Sequence, residues 1–119
     1  MIGRFSFLTL VLIGLTSAGE VLAQQQPLTE TELREAIVGK SIRWSSGNVT
    51  DYRADGTFTF NRGGKPTEGT WTMAGNKICY SVPSIRSSPC DQFYKDAKGP
   101  YNVDFSGKQS RFTVDGAAR

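Results

Sequence analysis

From Lys40 to the C-terminus the chain repeats one pattern: short runs with apolar side chains at every second position, broken by turn residues every eight to twelve positions. Period two sends alternate side chains to opposite faces, so each run reads as a strand with one dry face and one wet face. The runs are 40–45, 48–54, 57–62, 67–74, 77–82, 90–96, 100–106 and 109–114. Between them lie Ser46-Gly47, Ala54-Asp55-Gly56, Gly63-Gly64-Lys65, Gly75-Asn76, Lys98-Gly99 and Gly107-Lys108, all suited to tight hairpins. The longest break runs from Pro83 to Pro89. Eight short strands joined by tight turns predict an antiparallel meander, and closure into a small barrel removes its two open edges. Runs of about six residues fall short of the roughly 9–11 that hydrocarbon requires, which argues against an outer-membrane barrel.

Ahead of the meander, Leu28 to Gly39 predicts a short helix. Thr29 and Glu32 have the spacing of a capping box, and Leu28 and Leu33 that of a hydrophobic staple. Leu33, Ala36 and Ile37 share one face, and Gly39 supplies the stop. The expected architecture is therefore mainly β: a short N-terminal helix followed by an eight-stranded antiparallel meander closing into a small barrel.

Residues 1–23 carry the three parts of a secretory signal: Arg4, the apolar run Phe5–Gly14, and small or modest side chains before a cut near Ala23. The apolar run is too short for a membrane span, and no membrane span is expected in the mature chain. Of the 119 residues, about 96 would remain: a polar tail at 24–28 and one domain at 29–119. Export to a periplasm places Cys79 and Cys90 in an oxidising compartment, where they are expected to pair. Closing a loop of that length contributes roughly 3 kcal/mol in the chain-entropy model.

The chain has no histidine, which removes the usual base of nucleophilic catalysis and most transition-metal sites. Paired cysteines leave no thiol chemistry. Asp51, Asp55, Glu68, Asp91, Asp96 and Asp104 each fall in a turn or on the polar phase of a strand, where a solvated carboxylate is expected. Asp51-x-Arg53-x-Asp55-Gly56 fails as a calcium loop, with Arg53 and Arg62 where oxygen ligands belong, and Gly63-Gly64-Lys65 lacks the rest of a P-loop. Asn48-Val49-Thr50 is a glycosylation sequon by pattern only. Neither an enzyme, a cofactor nor a metal is expected. The net charge of +3 is dispersed over nearly every strand and turn, unlike a nucleic-acid stripe.

The aromatic residues gather on the apolar phase. Phe58, Phe60, Trp71, Tyr80, Tyr101 and Phe105, with Met73, Ile78, Val103 and Phe112, either fill the barrel or line a cup for a small apolar ligand. An eight-stranded barrel has an interior just wide enough for side chains to fill, and residues this large favour a filled one.

The Leu33–Gly39 helix end leading into Lys40–Trp44, together with Arg111 in the last strand, resembles a miniature lipocalin. Lipocalins set a Gly-x-Trp on the first strand and stack an arginine of the last strand on that tryptophan. The resemblance implies an Arg111–Trp contact; the nearest tryptophan is Trp44, and the literal Gly69-Thr70-Trp71 falls on the fourth strand. The layout Tyr52-x-x-Asp55-Gly56-Thr57, Gly69-Thr70-Trp71, Ile78-Cys79-Tyr80 and Pro89-Cys90 is similar to small exported alphaproteobacterial proteins. That likeness, to a group largely of unknown function, implies a periplasmic, disulfide-bonded β domain without catalytic residues; some small periplasmic proteins of this size in intracellular pathogens act in virulence. In build the chain also resembles bacterial inhibitors of secreted metalloproteases, whose free N-terminal residues enter the protease cleft. The matching tail here is Gln24, Gln25, Gln26, Pro27 and Leu28. The expected role is therefore non-enzymatic binding at the cell envelope or in host interaction, with an unknown protein or envelope component as partner. Inhibition through the tail and carriage of an apolar ligand are the alternatives.

Overall fold

Residues 25–119 are described by a computed structural model; the expected export signal and Gln24 lie outside the described residues. Ahead of the helix, a two-residue strand β1 (Gln26–Pro27) pairs with a later strand of the barrel. Helix α1 (Glu30–Ile37) starts at Thr29, whose hydroxyl accepts from the Glu32 backbone N–H at 3.1 Å while the Glu32 carboxylate accepts from the Thr29 N–H. The capping box read from the sequence is thus in place. Leu33 and Ile37, one turn apart, are fully buried. Gly39, at φ +75°, then swings the chain into the first long strand, a backbone conformation that costs glycine little.

Eight strands follow: β2 (Lys40–Trp44), β3 (Val49–Tyr52), β4 (Thr57–Arg62), β5 (Lys65–Ala74), β6 (Lys77–Ser81), β7 (Cys90–Asp96), β8 (Gly99–Val103) and β9 (Gln109–Ala117). Each pairs antiparallel with the next, and β9 returns to β2 with Ile42 opposite Val114 and Trp44 opposite Phe112. The meander closes into an eight-stranded barrel. β4 and β7 keep the bounds read from the sequence. β5 starts earlier, at Lys65, because Gly63 and Gly64 both hold positive φ and form a two-residue hairpin loop by themselves. β3 and β8 stop early because Asp55 and Asp104 each fold the next residues into a turn, the Asp104 carboxylate accepting from the Ser106 and Lys108 N–H groups.

The two ends of the barrel differ. One carries α1 and the β3–β4, β5–β6 and β7–β8 turns, and here Leu28, Leu33, Ile37, Ile42, Ile78, Phe93 and Phe112 pack with Tyr52, Phe58 and Trp71. The Trp71 indole N–H donates to the carbonyls of Arg53 and Thr57, tying the β3–β4 turn to this floor. The other end carries the β2–β3, β4–β5 and β8–β9 turns and the long 82–89 loop. No helix among the described residues is long and apolar enough to cross a membrane.

Candidate functional site

Above the packed floor the barrel is hollow. A cavity of about 640 Å³ opens at the end away from α1, walled by Trp44, Tyr52, Phe58, Phe60, Tyr80 and Val82, with Ile85, Pro89 and Phe105 at its mouth. The expectation of a filled interior holds for the helix end only. The large core residues crowd there, whereas positions nearer the mouth carry Ser46, Asn48, Thr67 and Ser110, which are too small to meet across the barrel.

Four of the six sequence-predicted cup residues belong to the interior: Phe58, Phe60 and Tyr80 line the cavity, and Trp71 lies beneath it in the floor. Phe105 stands at the lip, 78% exposed. Tyr101 is a correction. Register puts it opposite Tyr94 and Arg111, on the outer face, while its neighbour Asn102 lies opposite Phe93 and lines the cavity. The alternation Tyr101, Val103, Phe105 is real, but it is the outward phase. Tyr101 is buried there by stacking on Tyr94 at 5.7 Å and under the Arg111 guanidinium, 5.1 Å from its ring centre. Arg111 is held flat by two bonds to the Asp96 carboxylate, at 2.9 and 2.6 Å. It therefore covers a tyrosine and not a tryptophan. Trp44 instead meets Phe112 edge-on and donates its indole N–H to the Thr50 hydroxyl at 2.8 Å, inside the cup.

The residue that sequence reasoning missed is Asp91. The polar phase of its strand predicts a solvated carboxylate, yet it shares the phase of Phe93 two positions on and lines the cavity. Its Oδ2 accepts from the Tyr80 hydroxyl at 3.0 Å and from Asn102 Nδ2 at 3.1 Å, and the Tyr52 hydroxyl lies 2.8 Å from that of Tyr80. With Tyr80 donating to Asp91, Tyr52 donates to Tyr80, and the three form one chain. Burial pushes the Asp91 carboxyl up to about 6, and the Asp104 carboxylate adds to the rise against the two hydrogen bonds. Burial also pushes both phenols above the ordinary tyrosine range. Asn102 Oδ1 is buried without a hydrogen-bond partner among the described residues.

The disulfide lies beside this cluster. Cys79 and Cys90 are bonded and face each other across the antiparallel β6 and β7, so Asp91, opposite Ile78, lies on one side of the pair and Tyr80 on the other, both on the inner face, and the Tyr80 hydroxyl reaches diagonally to Asp91. The same bond closes the loop that supplies Val82, Ile85 and Pro89 to the wall.

The second carboxylate near the mouth, Asp104, has a structural task. Its Oδ1 accepts from the Ser106 N–H and hydroxyl and the Lys108 N–H, and the Ser106 hydroxyl in particular holds it below the usual carboxylate range. Of the two carboxylates that line the cup among the described residues, Asp91 is thus the one not consumed by a turn. Among the described residues no group of three or more candidate ligands could hold a metal ion.

Within the expected N-terminal tail, Gln26 to Leu28 are fastened down. Gln26 and Pro27 pair with Lys95 and Tyr94 of β7, beyond the point where β6 begins, and the Leu28 N–H donates to the Phe93 carbonyl. Leu28 is buried in the floor, so this part of the expected tail belongs to the domain. Comparison with protein-family models, curated proteins and solved structures finds no match to the chain.

Proposed function

We propose that this chain is an exported, non-enzymatic binding protein that holds a small, largely apolar molecule in the open end of its barrel. The observation that carries the reading is the cavity of about 640 Å³ above a closed floor. Its size falls in the range of roughly 300–1,000 Å³ typical of ligand pockets, and its wall has the usual make-up, aromatic with a few convergent polar groups. The Cys79–Cys90 disulfide fits an oxidising compartment such as the periplasm. The mouth supports a role at the cell envelope: the exposed side chains of Ile85 and Phe105 stand beside Arg62 and Lys108, a surface suited to an apolar solute arriving from an anionic layer. Inhibition by the tail would require Gln26–Leu28 to leave β7 and the floor.

The two tryptophans give a direct test, because Trp44 lines the cup and Trp71 does not. In a Trp71→Phe background, a neutral naphthyl probe should quench or shift the remaining emission with saturable, one-to-one binding. Val82→Phe, which fills the cup, should abolish the response. A response that does not saturate, or that Val82→Phe leaves unchanged, rejects the reading.

A further inference from the structure

The wall of the cup is apolar, but its deep end is chemically one-sided. Asp91 makes no ion pair among the described residues, and both of its hydrogen bonds fall on Oδ2. Asn102, 6% exposed, spends its amide N–H on that same oxygen and leaves Oδ1 without a donor. Tyr80 spends its proton on Asp91, and Tyr52 spends its own on Tyr80. Apart from the second Asn102 amide N–H, the donors of the cluster are used inside the cluster, and the acceptor left facing the cup is Asp91 Oδ1, while Asn102 Oδ1 is unpaired but closed to solvent. A buried polar group left unpaired is costly, and a buried carboxylate without a cation more so.

Resting on the cup reading above, we propose that the cup recognises the protonated amino group of an otherwise apolar ligand, an alkyl- or arylalkylammonium, with Asp91 as the ion-pair partner. Asp91 lines the cup and keeps Oδ1 free of the bonds that Tyr80 and Asn102 make to Oδ2, so an ammonium group can pair with it there. A carboxylate headgroup meets the like charge of Asp91 there, and a hydroxyl supplies one donor and no charge. The other charged groups near the cup do not change this ordering. Arg62 and Lys108 are exposed at the mouth, where water screens them, and Asp104 is engaged by its own turn. Trp44, Tyr52 and Phe58 line the cup, and aromatic residues suit both an apolar tail and, through their ring faces, a cation.

The test compares three ligands with one tail, octylammonium, octanol and octanoate, titrated calorimetrically into the oxidised protein at pH 7.5. Octylammonium should bind about tenfold or more tightly than octanol, the worth of one charge-assisted hydrogen bond. Asp91→Asn keeps a side-chain oxygen for Tyr80 and Asn102, and it should erase that preference while leaving octanol within about twofold. The wild type alone gives a second readout. Octylammonium stays protonated through pH 5, so its preference over octanol should shrink as the pH falls below about 6 and Asp91 takes up its proton. Equal affinities for all three ligands, tighter binding of octanoate, or a preference that neither pH nor Asp91→Asn alters, overturns the ammonium assignment and leaves the cup reading standing. Failure of all three ligands to bind overturns both.

Discussion

Asp91 is where a single residue carries most of the interpretation. Its carboxyl titrates near 6 against an ordinary value of 3.8, chiefly because burial disfavours the charged form. Between those two pH values the folded chain holds a proton that the unfolded chain has released, so stability falls as pH rises through that window and stays lower above it. Asp91→Asn removes the penalty. Urea unfolding should show variant and wild type nearly equal at pH 4, with the variant ahead by ~1–2 kcal/mol at pH 7.5, a figure discounted for partial solvent access. A gap independent of pH, or a less stable variant at pH 7.5, would refute the assignment. The inward direction of Asp91 was present in the sequence, since it keeps phase with Phe93. It was hidden by the rule that carboxylates take the wet face. Tyr101 misleads in the opposite sense: its apolar phase reads as the inner one, although Arg111 and Tyr94 bury it outside.

At the scale of elements, most strands were legible because turn chemistry is local. Gly63-Gly64, Asp55-Gly56 and Asp104 through Lys108 fix their hairpins within a few residues. β1 was not legible: nothing in Gln26-Pro27 signals a strand, and its pairing depends on an edge of β7 that β6 leaves uncovered. The Gly69-Thr70-Trp71 motif has a steric cause. Gly69 lies opposite Phe58, and a Cβ there would stand 2.3 Å from the Ser81 carbonyl oxygen and 2.9 Å from the Phe58 ring. Gly69→Ala should therefore cost ~1–3 kcal/mol by equilibrium denaturation, the usual penalty of overpacking. Removing the disulfide with Cys79→Ser and Cys90→Ser should cost about 2–5 kcal/mol. Because Tyr80 and Asp91 adjoin the two cysteines, it should also weaken probe binding at temperatures where the reduced barrel is still folded. Equal stability of the oxidised and reduced forms would remove the staple from the account.

The whole molecule is a barrel packed at one end and hollow at the other. Composition reports how many large side chains there are, not which end they occupy, so a filled barrel and a cup were both consistent with the same residues. The difference lies in where α1, Leu28 and the aromatic residues meet, which is a matter of long-range register. Two enlargements separate the halves. Ile78→Phe, in the fully buried floor, should lower stability by ~1–3 kcal/mol, whereas Val82→Phe, on the cup wall, should leave it within about 0.5 kcal/mol or raise it. Equal losses at both positions would mean the upper barrel is as tightly packed as the floor. The central claim, that the cup holds a small molecule, is tested most directly by native mass spectrometry of the protein isolated gently from the cells that make it. The account predicts an added small mass that is lost on denaturation and is absent from Val82→Phe. A bare polypeptide mass, or an added mass that Val82→Phe retains, would contradict it.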